Sequence, residues 1–273
     1  MILGRVNRVL SGIGWGLLAV FVLAALFAPW LAPHSPSDLG EPTAAPSPTH
    51  PLGTNDIGQD IFTELLYGAR TSLLLGALAA TFSTTIGLVL GVIAGYYTRL
   101  GFAIMRIVDI FLAVPRLPLI IFLAAFLKPG FWTLVLFFTF LGWMRTTRVV
   151  SSQILSERGK DYVTAAISMG AGDARILGRH LLPGATAVTI MRFIVEVQHV
   201  ILAESGLSFL GLGDPTLKSW GAILHYAFEY PTIFISDLWL RWAMPAGLCI
   251  TLVVLALTLI GFSLDAWTNP RLR

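Results

Sequence analysis

Three ionisable residues share one long apolar stretch, a setting in which charged side chains are rare. Arg192, Glu196 and His199 follow one another at intervals of four and three residues in TAVTIMRFIVEVQHVILA. In a helix this spacing places all three side chains on one face, where Arg192 and Glu196 can neutralise each other. Such a group forms a structural ion pair, relays protons or lines a polar path through an apolar region.

A further charge interrupts a second apolar stretch. Arg116 lies between Pro115 and Pro118 in VDIFLAVPRLPLI, so a kink and unpaired backbone groups are expected beside it. Asp109 lies seven residues earlier, on the same helical face. Two interpretations stay open for these charges: structural pairing within or between subunits, or a translocation path. The candidate path residues are Arg116, Arg192, Glu196 and His199.

Enzymatic chemistry finds little support in the sequence. Glu196-x-x-His199 matches half of a metal motif of helical bundles, but no second half lies in another apolar stretch, so no protein metal site is expected. GLSFLG resembles a serine elbow, yet Leu210 replaces its second glycine. No Gly-x4-Gly-Lys-Ser/Thr phosphate loop occurs. We therefore predict no catalytic residue and no ATP hydrolysis by this chain.

The stretches that carry these residues are typical of membrane helices. The chain has 273 residues, of which 56% are hydrophobic and 12% charged, whereas soluble domains carry about 25% charged residues. A membrane span needs about 20 mostly apolar residues. The six predicted spans are Ile13–Leu31, Thr71–Tyr97, Ile104–Leu127, Phe131–Val149, Ala185–Ser208 and Trp242–Leu264.

Charges are distributed asymmetrically between the two sets of loops. Most Lys and Arg residues lie near the two termini, at the junction of spans two and three, and between spans four and five. The positive-inside rule therefore places residues 1–12, the loop 150–184 and residues 265–273 in the cytoplasm. The first span resembles a secretory signal, but its length favours an uncleaved helix. The one cysteine, Cys249, excludes an intramolecular disulfide.

Two outer loops connect the predicted spans. Residues 32–70 begin with a Pro-, Ser- and Thr-rich stretch and end in a short amphipathic segment, ahead of a core of five spans over residues 71–264. Residues 209–241 are rich in aromatic side chains, which either anchor in the headgroup belt or form a docking surface for an external partner. These side chains are Trp220, Tyr226, Phe228, Tyr230 and Trp239.

The polar segment KDYVTAAISMGAGDARILGRHLLPG, residues 160–184, lies between two very apolar stretches. Its loop of about 35 residues is longer than a simple connection requires. Ala165, Ala166 and Gly170 are small enough to let the backbone approach another surface, and Pro183 is expected to end the helix. We predict a short helix that contacts a partner in the cytoplasm. A linker lying on the inner leaflet is the alternative.

This segment resembles the loop motif of binding-protein-dependent ABC importer permeases. The residues that match the motif are Ala165, Ala166, Gly170, Leu182 and Pro183. Thr164 and His180 replace its Glu and Ile, as in the dipeptide, oligopeptide and nickel branch. The chain also resembles that branch in four further stretches: HPLGTNDIGQDIFTELLYGARTSLLLG, VDIFLAVPRLPLI, ESGLSFLGLGDPTLKSWGAIL and the C-terminal NPRLR. It departs from the branch in GFSLDAWT, which is less charged than the branch pattern.

The resemblance implies an all-α membrane protein with six transmembrane helices, the type I ABC importer permease fold, and a cytoplasmic coupling helix. It also implies a second homologous permease, two ATPase subunits that bind Mg-ATP, and an extracytoplasmic solute-binding protein. Contact with membrane lipid is expected, and neither a cofactor nor a nucleic acid is expected for this chain. The residues assigned to coupling are Asp161, Thr164, Ala165, Ala166, Gly170, Ala171, Asp173, Arg175, His180 and Pro183.

The function implied by the resemblance is ATP-driven import of a small solute by alternating access. Di- or oligopeptides are the expected solutes, and nickel or another metal complex is the alternative for the same machinery. A rival from another class is an ATP-independent secondary transporter in which Glu196 and His199 relay protons. The lack of an inverted repeat counts against it.

Overall fold

The apolar stretches form long helices. The computed structural model describes residues 2–126, 128 and 130–268, and the C-terminal NPRLR motif lies outside them. Within these residues the chain is helical, and no β-strand occurs. In chain order the α-helices are α1 (Ile2–Leu26), α2 (Ala28–Leu31), α3 (Ile61–Tyr96), α4 (Thr98–Ala113), α5 (Arg116–Phe126), α6 (Phe131–Arg158), α7 (Asp161–Ser168), α8 (Asp173–Ile176), α9 (Leu182–Phe209), α10 (Trp220–Glu229), α11 (Leu238–Arg241) and α12 (Ala243–Thr268).

Four helical segments of the described chain are long and apolar enough to cross a membrane. They are Val9–Leu26, Ile61–Tyr96, Asp173–Phe209 and Leu238–Leu264. α4 and α5 make a fifth if the pair forms one bent span. α6 has 28 residues, but it is not among these segments, because Arg145 and Arg148 follow its apolar first half. The six predicted spans are thus matched by four or five.

The third predicted span is broken beside its proline. α4 ends at Ala113 and α5 begins at Arg116, and the two axes are bent by 91°. Val114 has an extended backbone, the conformation favoured before proline because the ring of Pro115 crowds the helical one. The kink predicted at this position is confirmed. It brings Arg116 to the first turn of a new helix.

The helix that contains the second predicted span begins ten residues before it. The helix α3 begins at Ile61 and runs without interruption to Tyr96, so the separate amphipathic segment predicted before Thr71 is wrong. The Asp60 side chain accepts a hydrogen bond from the Thr63 backbone N–H at 2.8 Å, which satisfies one of the unpaired donors of the first turn. The acidic residues here therefore start the membrane helix instead of forming a surface element.

α3 and α6 pack against each other along most of their length, and a stripe of glycines brings them close. Gly87, Gly91 and Gly95 recur every four residues on one face of α3, facing α6. A Cβ atom added at Gly91 would lie 2.6 Å from Val150 Cβ and 2.9 Å from the Thr147 carbonyl oxygen. Small residues at this spacing allow membrane helices to approach closely. This contact was missed in the sequence, although the four-residue repeat was its signal.

Replacing Gly91 by Ala is expected to destabilise the protein by about 1–3 kcal/mol, because the added methyl group forces α3 and α6 apart. Gly247→Ala is the matched control, since nothing lies within 4 Å of the added Cβ in α12. That change should stabilise the helix by up to about 1 kcal/mol. Thermal unfolding of both variants in detergent measures the difference. Equal shifts for the two variants would contradict the close packing.

The Leu182-Pro183-Gly184 sequence begins a helix and does not end one. A π-helical turn, Leu177–Leu181, leads directly into α9, and Pro183 lies in the first turn of α9. Proline fits this position because the first helical N–H groups have no partner in the helix and its backbone angle is already helical. The predicted stop at Pro183 is therefore wrong. The polar segment and the fifth predicted span form one continuous helical run from Asp173 to Phe209.

Candidate functional site

The polar segment forms α7, α8 and the π-helical turn, which pack against the ends of α3 and α6. A hydrophobic cluster lies beneath it, to which the segment contributes Val163, Ile176 and Leu181. The helices beneath contribute Tyr96 and Ile154, among others. All three side chains of the segment are buried. The segment is therefore a structured element fixed to the helix bundle and not an extended linker.

Polar contacts attach the segment at one carboxylate. The Tyr96 hydroxyl donates to Asp173 Oδ1 at 2.7 Å, and the Tyr97 hydroxyl donates to Oδ2 at 3.3 Å. Arg158 Nη1 donates to the Tyr96 carbonyl oxygen at 2.7 Å, and its guanidinium lies over the Tyr96 ring. Asp173 is thus held by the last residue of α3 and by the residue that follows it.

A second group of contacts joins α6 to α7. Glu157 accepts hydrogen bonds from Lys160 Nζ and from the Tyr162 hydroxyl, each at 2.7 Å. The bond to Glu157 raises the pKa of the Tyr162 hydroxyl, because it stabilises the protonated phenol. The Tyr162 ring also lies 5.8 Å from the His180 ring, across to the π-helical turn. These contacts fix the orientation of α7 relative to the helices on either side.

The outward face of the segment is formed by small and apolar residues. Thr164 and Ala165 are exposed on α7, and Met169 at its end is 81% exposed. Gly170 follows with φ +81°, a left-handed conformation that suits glycine, and nothing lies within 4 Å of a Cβ placed there. Ala166 points inward and is buried. Among the adjacent alanines, only Ala165 can contact a partner directly.

The other predicted coupling residues lie around this face. Asp161 is in the first turn of α7, and Arg175 is exposed on α8. Ala171 is partly buried, and its backbone N–H donates to the Ala166 carbonyl oxygen at 3.0 Å. Pro183 is exposed at the start of α9. The structure thus brings the predicted coupling residues onto one compact element, with Ala166 and Asp173 on its anchored side.

A charged cluster lies in the interior between α5, α6 and α9. Glu196 is fully buried, and its Oε1 accepts a hydrogen bond from Arg116 Nη2 at 3.2 Å. Arg192 Nη2 lies 3.9 Å from Oε2 of the same carboxylate. Gly142 of α6 admits the carboxylate, since a Cβ there would lie 2.6 Å from Glu196 Oε1 and 2.8 Å from Ser83 Cβ. The predicted Arg192–Glu196 pair is present, and Arg116 joins it.

Two other predicted charges have partners elsewhere. His199 Nδ1 lies 2.7 Å from the Val195 carbonyl oxygen of its own helix. Within the described chain His199 makes no hydrogen bond to Glu196, so the structure offers no direct link for a proton relay between them. Asp109 forms an ion pair with Arg148 of α6. Its partner is therefore on another helix, beyond the reach of local spacing arguments.

A cavity of about 240 Å³ lies at the break between α4 and α5. Val114, Pro115 and Arg116 line it from the break, and Met144 and Arg145 line it from α6. The remaining lining side chains are apolar. The kinked helix thus creates a space next to the buried ion pair, with two arginine residues among those that line it.

The aromatic outer loop is anchored by a buried tryptophan. Trp220 is 0% exposed, and its Nε1 donates to the Leu65 carbonyl oxygen at 3.1 Å. Both sequence interpretations of this residue, headgroup anchor and docking surface, are therefore wrong. Nearby, Lys218 Nζ lies 2.7 Å from Glu64 Oε1. These two contacts tie the outer loop to the start of α3.

His34, His50 and Asp60 form a small cluster on the outer side, with possible metal-ligand atoms within 4.8 Å of one another. The two imidazole rings are stacked, with centroids 4.3 Å apart and planes inclined by 19°. His50 Nδ1 lies 3.0 Å from Asp60 Oδ1. Nearly parallel rings do not direct their lone pairs at one ion. The contacts instead explain the cluster as a hydrogen-bonded cap at the start of α3.

Comparison with known proteins agrees with this architecture of apolar helices around a structured polar loop. Residues 87–273 match the family described as binding-protein-dependent transport system inner membrane component. Residues 10–49 match the N-terminal TM domain of oligopeptide transport permease C. The protein is thus a multi-pass inner-membrane transport component, and the chain belongs to the binding-protein-dependent transport family.

Three bacterial relatives cover nearly the whole chain. The dipeptide transport system permease protein DppC of Bacillus subtilis (strain 168) is 37% identical over 261 residues, 94% of this chain and 80% of that protein. The di/tripeptide transport system permease protein DppC of Pseudomonas aeruginosa (strain UCBPP-PA14) is 35% identical over 97% of this chain and 88% of its own. The oligopeptide transport system permease protein OppC of B. subtilis is 34% identical over 98% and 88%.

Proposed function

We propose that the chain is the transmembrane permease subunit of an ATP-driven importer that carries di- or oligopeptides. Membership of the binding-protein-dependent family supports the permease role. The names of the relatives, which are dipeptide, di/tripeptide and oligopeptide permeases, support the solute class. The observation that carries the proposal is the structured element α7–α8, whose inner face is fixed to α3 and α6 and whose outer face is exposed. An element of this kind transmits force from a partner to the helices.

In this proposal the chain crosses the membrane six times, with both termini in the cytoplasm. The bent α4–α5 pair forms the third span, and α6 forms the fourth despite Arg145 and Arg148. The packing of α6 along the membrane helix α3 supports this assignment. The excess of basic residues in the 150–184 loop supports the orientation.

The exposed face of α7, from Thr164 to Gly170, docks on a separate ATPase subunit that binds Mg-ATP. A second homologous permease, a second ATPase subunit and an extracytoplasmic solute-binding protein complete the transporter. ATP binding closes the ATPases and pushes α7 and α8. The Asp173 contacts with Tyr96 and Tyr97 pass this movement to α3. Arg116, Arg192, Glu196 and His199 line the path that opens.

A cysteine at the exposed position Met169 tests the proposal. We expect Met169→Cys, in a Cys249→Ser background, to crosslink to a co-expressed ATPase subunit. Proteoliposomes with the complete transporter should accumulate a dipeptide only when ATP is supplied inside. Ile190→Cys is the matched control, because its exposed side chain lies on the membrane helix α9. Labelling of the Met169→Cys thiol from the extracytoplasmic side, or uptake driven by a proton gradient without ATP, would refute the proposed function.

A further inference from the structure

The cavity at the break between α4 and α5 has the character of an anion site. Its charged lining residues are Arg116 and Arg145, and the other lining residues are apolar. Such a cavity favours a ligand with one anionic group and an otherwise uncharged body. It lies beside Glu196, close to the middle of α9, and therefore far from both ends of that helix.

The charges around this cavity do not balance. Arg116 and Arg192 share one carboxylate, Glu196, at 3.2 and 3.9 Å. Arg145 forms no ion pair with any residue of the described chain, and Asp109 of α4 is engaged by Arg148. Two guanidinium groups thus share one carboxylate, and a third arginine, Arg145, lines the same cavity as Arg116 without a counter-charge in the described residues. Buried charge of one sign requires compensation, and a bound anion would supply it.

The hydrogen-bond donors of Arg116 likewise lack acceptors. Only Nη2 reaches Glu196. The Nε and Nη1 atoms are buried and have no partner within the described residues. A buried donor without an acceptor is costly, and a guanidinium presents its donors in a fork that matches a carboxylate. These two donors have no accessible surface, so a carboxylate held at the cavity would reach them when the Arg116 side chain turns from Glu196 toward the cavity.

We propose that the C-terminal carboxylate of the transported peptide binds at this cavity, with Arg116 as its main ligand and Arg145 as the second positive group. The inference rests on the proposed function, since it takes a peptide as the solute. Every unmodified peptide carries this carboxylate, so the site recognises the class without selecting side chains. Because Arg116 is the first residue of α5, just beyond the break, its exchange between Glu196 and the peptide links occupancy of the path to the position of α5.

The test compares Ala-Ala with its C-terminal amide. Wild-type and Arg116→Gln transporters, reconstituted with the same binding protein and ATPases, are assayed for ATP-driven uptake of each peptide. We expect Arg116→Gln to lower the ratio of acid uptake to amide uptake about tenfold, the value of one charge-assisted hydrogen bond. The same binding protein serves every transporter, so its own preference affects each uptake ratio equally and does not alter the comparison between variants. Arg116→Lys should retain part of the preference, and Arg148→Gln, the control outside the cavity, should retain all of it.

A ratio that is the same in wild type and Arg116→Gln would overturn the carboxylate site while leaving peptide import intact. Absence of ATP-driven uptake of any peptide would refute the proposed function instead. A second measurement decides the site independently of transport. Thermal unfolding of the full-length chain in detergent should shift more with Ala-Ala than with the amide, and Arg116→Gln should abolish this difference. Equal shifts for both peptides in the wild-type chain would also overturn the proposal.

Discussion

Replacing Glu196 by Leu is expected to lower the stability of the protein by about 3–5 kcal/mol, the cost of breaking a buried ion pair by removing one partner. Glu196 is fully buried and is the common partner of Arg116 and Arg192. Its loss leaves both guanidinium groups in the interior without a counter-charge. The effect should appear as a large decrease in the thermal unfolding temperature in detergent, and as poor accumulation in the membrane.

The arginines provide the matched comparison. Arg116→Gln removes one positive charge but leaves Glu196 paired with Arg192 across one helical turn. The loss of stability should therefore be clearly smaller than for Glu196→Leu. Glu196→Leu combined with Arg116→Leu should recover part of the stability, because one of the two unpaired charges is gone. Equal unfolding temperatures for Glu196→Leu and Arg116→Gln would show that the carboxylate is not the centre of the cluster.

The different stability losses expected for Glu196→Leu and Arg116→Gln follow from contacts that the sequence predicts only in part. The spacing of Arg192 and Glu196 on one helix predicts their pairing, because both positions are fixed by the helical repeat. The prolines beside Arg116 likewise predict the kink. Neither pattern predicts that α5 swings Arg116 onto Glu196, 80 residues away in sequence, or that Gly142 leaves room for the carboxylate. These contacts depend on how the helices pack.

The same distinction explains the errors at the helix ends. Hydropathy predicts where lipid replaces water as the solvent, and it therefore locates the apolar parts of α3, α9 and α12. It does not locate the start of α3, because Glu64 is accommodated there by Lys218, a partner 154 residues away. Pro183 is ambiguous for a local reason, since proline is common both just after a helix and in its first turn.

In the outer loop, the burial of Trp220 could not be predicted from the sequence. An aromatic residue between membrane spans is typical of the headgroup region, and its sequence neighbours give no reason to expect otherwise. In the structure it fills the space left by Gly68, where an added Cβ would lie 2.9 Å from the Trp220 ring. The glycine on α3 and the tryptophan on α10 form a complementary pair. Such a pair is recognisable only after the helices are placed side by side.

Replacing Ala165 by Arg is expected to abolish ATP-driven uptake while leaving the fold intact. Ala165 is exposed on α7, and exposed helix positions accept an arginine with a change within about 0.5 kcal/mol. In the assembled transporter the same side chain would lie in the contact with the ATPase subunit. A large charged group there separates the two surfaces, so the ATPase should no longer copurify with the permease. Ala165→Ser, which adds one hydroxyl, should retain both uptake and copurification.

The neighbouring alanine gives the opposite outcome and makes the experiment specific. Ala166 is 8% exposed and faces the helix bundle beside the buried Val163. Ala166→Arg should therefore destabilise the segment itself by several kcal/mol, since burying a charge without a partner is among the costliest changes. Unfolding temperatures in detergent separate the two variants: unchanged for Ala165→Arg and strongly lowered for Ala166→Arg. Full uptake by Ala165→Arg would mean that α7 does not carry force from an ATPase, because a docking face that accepts an arginine at its centre is not in contact.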